Sequence, residues 1–184
     1  MISPTPPLAT SRRLGALATV AVAITLAGCA PTPAPTPTPT AAFASEEEAF
    51  AAAEATYRAY TDALNAVEPA NPDTFDSTYA FSSGGVQRAD RENFSTMHAE
   101  GYSISGDAVV TRFVGQAARE ALEVVDAIIC VDVSGVTVLD ATGTSVVNSD
   151  RPDMYEIETT FKWDGDHLRV DEVESVEGTT CSGL

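Results

Sequence analysis

Met154–Val173 reads MYEIETTFKWDGDHLRVDEV, and its alternation decides the fold class. Tyr155, Ile157, Thr159, Phe161 and Trp163 alternate with Met154, Glu156, Glu158, Thr160 and Lys162. A period of two with one apolar side is the pattern of a half-buried strand. Asp164-Gly165 is a type I′ hairpin signal. A two-residue turn there pairs Trp163 with Asp166, Phe161 with Leu168 and Thr159 with Val170, so apolar residues meet on one face. A three-residue turn would set Phe161 against Arg169 and lose that match. Beyond Val170 the parity breaks at Val173. One extra residue at Asp171-Glu172 returns Val173 to the inner face, which predicts a β-bulge and a curved antiparallel sheet.

Working upstream, the period of two begins near Tyr102. Asp107–Gly115 is one strand. In residues 119–134, Val125, Ala127, Ile129, Val131 and Val133 fall on one face fit for a core. Gly135 marks a bulge, Val136–Asp140 continues the strand, and Asp140-Ala141-Thr142-Gly143 is a turn. Before Tyr102 the period is helical. Ser45-Glu46-Glu47-Glu48 is a capping box with three acids suited to the helix dipole. Phe50, Ala53, Tyr57, Tyr60, Leu64 and Val67 then give one face of a long helix over 46–67. Glu54, Arg58 and Asp62 are spaced to pair on another face. Asn71-Pro72 starts a short helix carrying Phe75 and Tyr79. Ser82–Gly85 breaks it, and a third helix over 88–100 presents Phe94 and Met97 before Gly101 at its C-terminal cap. Helices first and an antiparallel sheet last make an α+β domain over 43–184.

The first 28 residues have the form of an export signal. Arg12 and Arg13 precede a thirteen-residue apolar run, Leu14–Leu26, followed by small residues. Such a run is too short to span a bilayer, which takes roughly 20 apolar residues. Residues 31–40 read PTPAPTPTPT. Alternating proline holds the backbone near polyproline II, so residues 29–42 form an extended linker. The chain has 10 basic against 27 acidic residues, a net charge of −17 over 184 residues. Removing residues 1–28 leaves 8 basic residues and a net of −19. Neutralising a phosphate backbone needs clustered cations, so nucleic acid is excluded as a partner.

Leu26-Ala27-Gly28-Cys29 resembles the lipobox of bacterial lipoproteins at every position. That resemblance implies a diacylglyceryl group on the Cys29 sulfur, cleavage before Cys29, and a membrane anchor on the outer face of the cell membrane. One acyl chain binds only marginally and two or three hold the protein for good, at about 0.8 kcal/mol per buried methylene. Ser11-Arg12-Arg13-Leu14 leaves the export route open between the general and twin-arginine pathways. The element order, one long helix, a short helix, a third helix and a curved antiparallel sheet, is similar to the NTF2-like superfamily. The chain also resembles small secreted actinobacterial lipoproteins carrying such a domain after a Pro/Thr stalk, through Cys130-Val131-Asp132-Val133-Ser134 and Arg151-Pro152-Asp153. The NTF2-like resemblance implies a cone-shaped pocket, in which some members hold a catalytic acid and tyrosine while others bind ligands, dimerise or scaffold. A cystatin-like fold and an unrelated two-layer sandwich are the alternatives.

With Cys29 lipidated, Cys130 and Cys181 remain. Outside the cytoplasm they form one disulfide tying the C-terminal tail to the sheet, or else stand as two buried thiols. Neither is flanked by a basic residue, which argues against a reactive thiol. Two histidines and paired cysteines leave no zinc set, and Asp150, Asp153, Asp164 and Asp166 lack the spacing of a calcium loop. No metal or cofactor is expected. The candidate pocket residues are Tyr57, Tyr60, Phe94, Met97, His98, Asp126 and Trp163. Asp126 is either a pocket acid raised by desolvation or an outward residue of a half-exposed sheet. His98 either points into a pocket or caps a helix edge. Three function classes follow: a non-enzymatic module binding a protein or small molecule, an envelope assembly factor acting as a homodimer, and an isomerase or dehydratase using Asp126 or His98 with a tyrosine.

Overall fold

A computed structural model describes residues 41–176 and Cys181. The export signal, Cys29 and the Pro/Thr linker lie outside the described residues. Helix α1 runs Glu46–Asn65, and its start is the expected capping box. Ser45 Oγ accepts from the Glu48 amide, and the Glu48 carboxylate reaches back to the Ala44 amide at 2.8 Å. The helix ends two residues before the expected Val67. Asn71 caps a 3-10 turn over Pro72–Thr74, which leads into the short α2, Asp76–Tyr79. Helix α3 runs Gly84–Glu100 and ends on Gly101 in the left-handed region, as its position after the last periodic residue predicts.

Six strands follow: β1 Ser103–Ser105, β2 Val109–Arg119, β3 Val124–Asp132, β4 Thr137–Leu139, β5 Met154–Trp163 and β6 Leu168–Val176. The main sheet is antiparallel in the order β2-β3-β5-β6, with β1 and β4 pairing separately. Register shifts in β2 and β6 bend it. All three helices precede this curved sheet, and α1 and α3 pack on it, which is the expected α+β architecture. The core lies between α1 and one sheet face. Ala49, Ala53, Tyr57 and Tyr60 meet Val125, Ala127, Ile129, Val131, Phe161 and Val170, all buried. Arg58 pairs with Glu54 at 2.8 Å and also donates to the Val110 carbonyl, so the same side chain stabilises the helix and ties it to β2. A second cluster of Val67, Phe75 and Phe94 joins the far ends of α1 and α3.

Four expectations need correction. The 119–134 segment is not one strand: β2 extends to Arg119, a turn intervenes, and β3 begins at Val124. Glu120, Ala121 and Leu122 make that turn with φ of 54°, 58° and 68°. Second, β4 does not continue β3 through a bulge. The chain turns at Val133–Val136, and β4 leaves the main sheet to pair with β1. Third, α3 begins at Gly84 rather than near 88. Fourth, Trp163 pairs with Leu168, and Phe161 with Val170, so the hairpin loop is Asp164–His167, two residues longer than expected. The Asp164 carboxylate stabilises the longer loop by accepting from the Asp166 and His167 amides, both at 3.0 Å. The expected bulge is present. Phe161 faces Val170 and Thr160 faces Glu172, leaving Asp171 as the extra residue. It puts Val173 opposite Thr159, where Val173 lines an open cavity beside α3 and stays 44% exposed.

Gly115 on β2 permits the close seat of α1. A Cβ there would lie 2.5 Å from the Phe50 ring. Gly115→Ala is expected to cost about 1–3 kcal/mol by overpacking. Phe50→Leu in the same chain should recover most of that loss in a chemical denaturation cycle. Equal losses with and without the ring would mean that the contact is not the cause.

Candidate functional site

A cavity of about 730 Å³ opens between the first turns of α3 and the middle of the sheet. It is lined by Gly85, Val86, Arg88 and Ala89, by Gln116, and by residues 126–128, 158–160 and 172–174. Register puts Asp126, Thr160 and Glu172 in one row, with Ile128, Glu158 and Glu174 in the next. Ala127, Thr159 and Val173 form the row that faces α3, and these six side chains share the opposite face, turned away from α1, since their sequence neighbours Val125, Ala127 and Phe161 are in the core.

That face is acidic and unevenly compensated. Arg119 donates to Asp126 through Nε at 2.7 Å and Nη2 at 2.9 Å, and Thr160 Oγ1 donates to the same carboxylate at 2.9 Å. These donors, Arg119 first, hold the Asp126 carboxyl below its usual range against a partial desolvation. Asp126 is therefore an ionised, outward residue of the cavity rim, and not the raised pocket acid that was one of its two readings. Glu158 stands directly opposite Glu174, and neither has a hydrogen bond or ion pair among the described residues. Like charges opposite one another in a sheet are destabilising.

The wall of the cavity is fixed by the bulge. Asp171 is buried, accepting from Ser83 Oγ at 2.8 Å and from Lys162 Nζ at 2.6 Å. Ser83 is the N-terminal cap of α3 and makes no side-chain bond within its own helix. Asp171 therefore sets a carboxylate beside the positive end of α3, where the helix dipole favours it. Gly84 makes room for it, with φ +49° and only 2.4 Å between a built Cβ and the carboxylate oxygen. The Ser83 amide and Val170 amide complete the joint through Val170 and Phe81 carbonyls, both at 2.9 Å.

The other expected pocket residues are not gathered here. Tyr57 and Tyr60 are in the core, and Tyr57 meets Phe161 edge-on. Phe94 packs on Phe75 with Met97 alongside. His98 lies late in α3 with Nδ1 2.8 Å from the Pro69 carbonyl oxygen, the helix-edge placement. Trp163 packs against Phe43 at the start of the domain. Among the described residues, no group of acids, histidines and cysteines is arranged to hold a metal. Cys130 and Cys181 are bonded, across 51 residues of sequence. The Cys181 amide donates to the buried Glu156 carboxylate, so Cys181 lies against the row next to the cavity.

An acid–tyrosine pair does exist, on a residue the sequence reading passed over. Tyr60 Oη donates to Asp90, 3.0 and 3.2 Å from its two oxygens, with both residues buried. Val86, Asp90 and Phe94 are four apart on the buried stripe of α3, so an acid interrupting an apolar i, i+4 series was the available signal. No cavity described above includes the pair.

No family model and no curated protein matches the sequence. Among solved structures, the chain is similar to the intermembrane space region of the chloroplast protein ARC6, at 10% identity and a TM-score of 0.51. That match covers 70% of this chain and 97% of the other. It is also similar to a protein named as an aromatic ring hydroxylase from Novosphingobium aromaticivorans, at 13% identity, TM-score 0.49, and coverage of 72% and 96%. The first likeness shows the fold alone.

Replacing one member of the opposed acids should relieve the repulsion. Glu174→Lys is expected to raise stability by about 0.2–1 kcal/mol, the worth of an opposite-charge cross-strand pair. The gain should shrink in high salt, as screening requires. Thermal unfolding at two ionic strengths measures it, and a salt-independent gain would point to packing instead.

Proposed function

We propose that this chain is an extracytoplasmic lipoprotein, anchored through Cys29, whose NTF2-like domain binds a protein or small-molecule partner without catalysing a reaction. The observation that carries the reading is the Cys130–Cys181 bond. A structural disulfide suits an oxidising compartment, and it leaves Cys29 as the cysteine for lipid. The lipobox, the basic flank, the short apolar run and the Pro/Thr linker support the same placement. The acid–tyrosine pair supports a non-enzymatic role, because Tyr60 and Asp90 are 6% and 7% exposed and enclosed by α1 and α3. A reactant would have no path to them. Homodimerisation through the sheet is the weaker alternative. Stacking two copies of the outer face would set Glu158, Glu172 and Glu174 against themselves, which costs free energy.

In cells, the wild-type protein should enter the detergent phase on Triton X-114 partitioning, and Cys29→Ala should move to the aqueous phase or persist as an uncleaved precursor. Unchanged partitioning of the variant would refute the anchor. Native mass spectrometry of the detergent-extracted protein reads the binding role: a bound second species of constant mass supports it. A self-dimer that survives Glu174→Lys unchanged would favour the assembly reading.

Removing the disulfide tests the tail. Cys130→Ala with Cys181→Ala should lose about 2–5 kcal/mol of stability. A loss well under that range in denaturant titration would mean that the Glu156 contact holds the tail without the covalent link.

A further inference from the structure

Helix α3 walls the cavity with its first turns, and its middle rests on a buried carboxylate that has no cation beside it among the described residues. Asp90 is 7% exposed and Tyr60 6%. The tyrosine hydroxyl lies within hydrogen-bond distance of both carboxylate oxygens, so one proton serves two acceptors. Ser82, fully buried, lies near the carboxylate, and its hydroxyl donates to the Thr78 carbonyl at 3.3 Å. Arg91 follows Asp90 in sequence but lies over the Tyr79 ring, 3.9 Å from its centroid. Arg88 is exposed on the cavity side. A buried carboxylate lacking a cation is costly when charged and inexpensive when neutral.

We propose that Asp90 and Tyr60 form a pH-sensitive latch seating α3 on α1, so that the cavity wall is held firmly in acid and loosens as pH rises. Geometry sets the direction. The neutral carboxyl meets the Tyr60 hydroxyl and an apolar surround, whereas the anion has the same partner and no counter-charge among the described residues. Burial pushes the Asp90 carboxyl up, and hydrogen bonds from Tyr60 and Ser82 only partly offset it. A folded-state value raised above the unfolded one stabilises the fold fully below the unfolded value. That contribution is lost as pH rises through the folded one. The link to the cavity is mechanical: Val86 and Ala89 line it and sit within one helical turn of Asp90.

The groups facing the latch are known from each neighbouring element. Tyr57 and Tyr60 come from α1, Asp76 and Tyr79 from α2, and Arg91 from α3. From the β5–β6 hairpin, Arg169 donates to the Tyr79 carbonyl and His167 Nε2 lies 3.3 Å from the Ala80 carbonyl oxygen. Tyr57 and Tyr60 are pushed far above the usual phenol range by burial and stay protonated throughout. His167 is the imidazole of that hairpin, so the test separates its contribution from that of Asp90.

The consequence for ligand retention rests on the binding role proposed above; the latch itself does not. Hydrogen exchange of the full lipidated chain in detergent micelles reads it, with rates corrected for intrinsic pH dependence, between about pH 4 and about pH 8. The α3 amides from Val86 to Met97 should be several-fold better protected in acid. Asp90→Asn, neutral at every pH, should keep the higher protection at both ends and lose the dependence. Tyr60→Phe, which removes the donor and keeps the acid, should lose more protection at the upper pH than at the lower. Wild-type protection that is flat or falls in acid would overturn the latch, as would an Asp90→Asn protein retaining the wild-type dependence, which would assign it to a group other than Asp90. If Asp90→Asn does not fold, a Tyr60→Phe loss equal at both pH values overturns it alone. Failure to find a partner leaves these readouts unaffected, so the two proposals fail separately.

Discussion

Asp171 joins the parts of this domain. It is the one residue by which β6 exceeds its partner at the bulge, and the extra residue directs a carboxylate to three places at once. It accepts from Lys162 within the hairpin, accepts from Ser83 at the helix cap, and lies beside the α3 N-terminus. Without the bulge, β6 would keep strict alternation and this carboxylate could not occupy the α3 end of the strand. The bulge also bends the sheet. Curvature, the α3 anchor and the placement of Val173 thus have one origin. Lys162 is half exposed, so the ion pair itself adds little to stability. The weight falls on the buried hydrogen bonds and the helix end, where an unpaired group would be expensive.

Much of this was legible because parity is robust. A period of two assigns every side chain in Met154–Trp163 to a face, and the core confirms the odd residues from Thr159 to Phe161 inward. The bulge followed from the same rule, since Val170 and Val173 cannot share a face without an extra residue. Loop length did not follow. Two- and four-residue loops preserve the same parity, so apolar matching cannot distinguish them. Asp164 decides in favour of four through its own carboxylate, held in its ionised form well below the usual range by the His167 and Asp166 amides and by Arg169. The start of α3 was hidden for a related reason. Paired glycines oppose a helix by propensity, and the group favouring one at Gly84 is Asp171, distant in sequence.

The β2–β3 connection was illegible for a different reason. Ala121 and Leu122 are apolar and look like a continued strand, yet three successive residues adopt positive φ. L-residues pay for that conformation, and Leu122 packing on the core together with the Glu123 carbonyl accepting from Trp163 at 2.8 Å supply the compensation. Likewise β4 leaves the sheet where the 106 and 135 loops meet. A Cβ on Gly106 would lie 2.0 Å from the Gly135 carbonyl oxygen. Such close passage depends on Gly106, whose neighbour across the gap is 29 residues away in sequence, a juxtaposition that local pattern does not reveal.

The candidate site divides along the same line. The sequence named aromatic and acidic residues at helical or strand spacing, and most of them fill the core, as such residues ordinarily do. What distinguishes the cavity is relative position. Glu158 and Glu174 are individually unremarkable surface acids, and only register places them opposite one another without compensation. Asp126 sits in the adjacent row with two donor residues, Arg119 and Thr160, so around Ile128 this face holds one satisfied acid and the uncompensated Glu158 and Glu174. The acid–tyrosine pair is enclosed, whereas the acids of this face are reached from outside and lie apart from it.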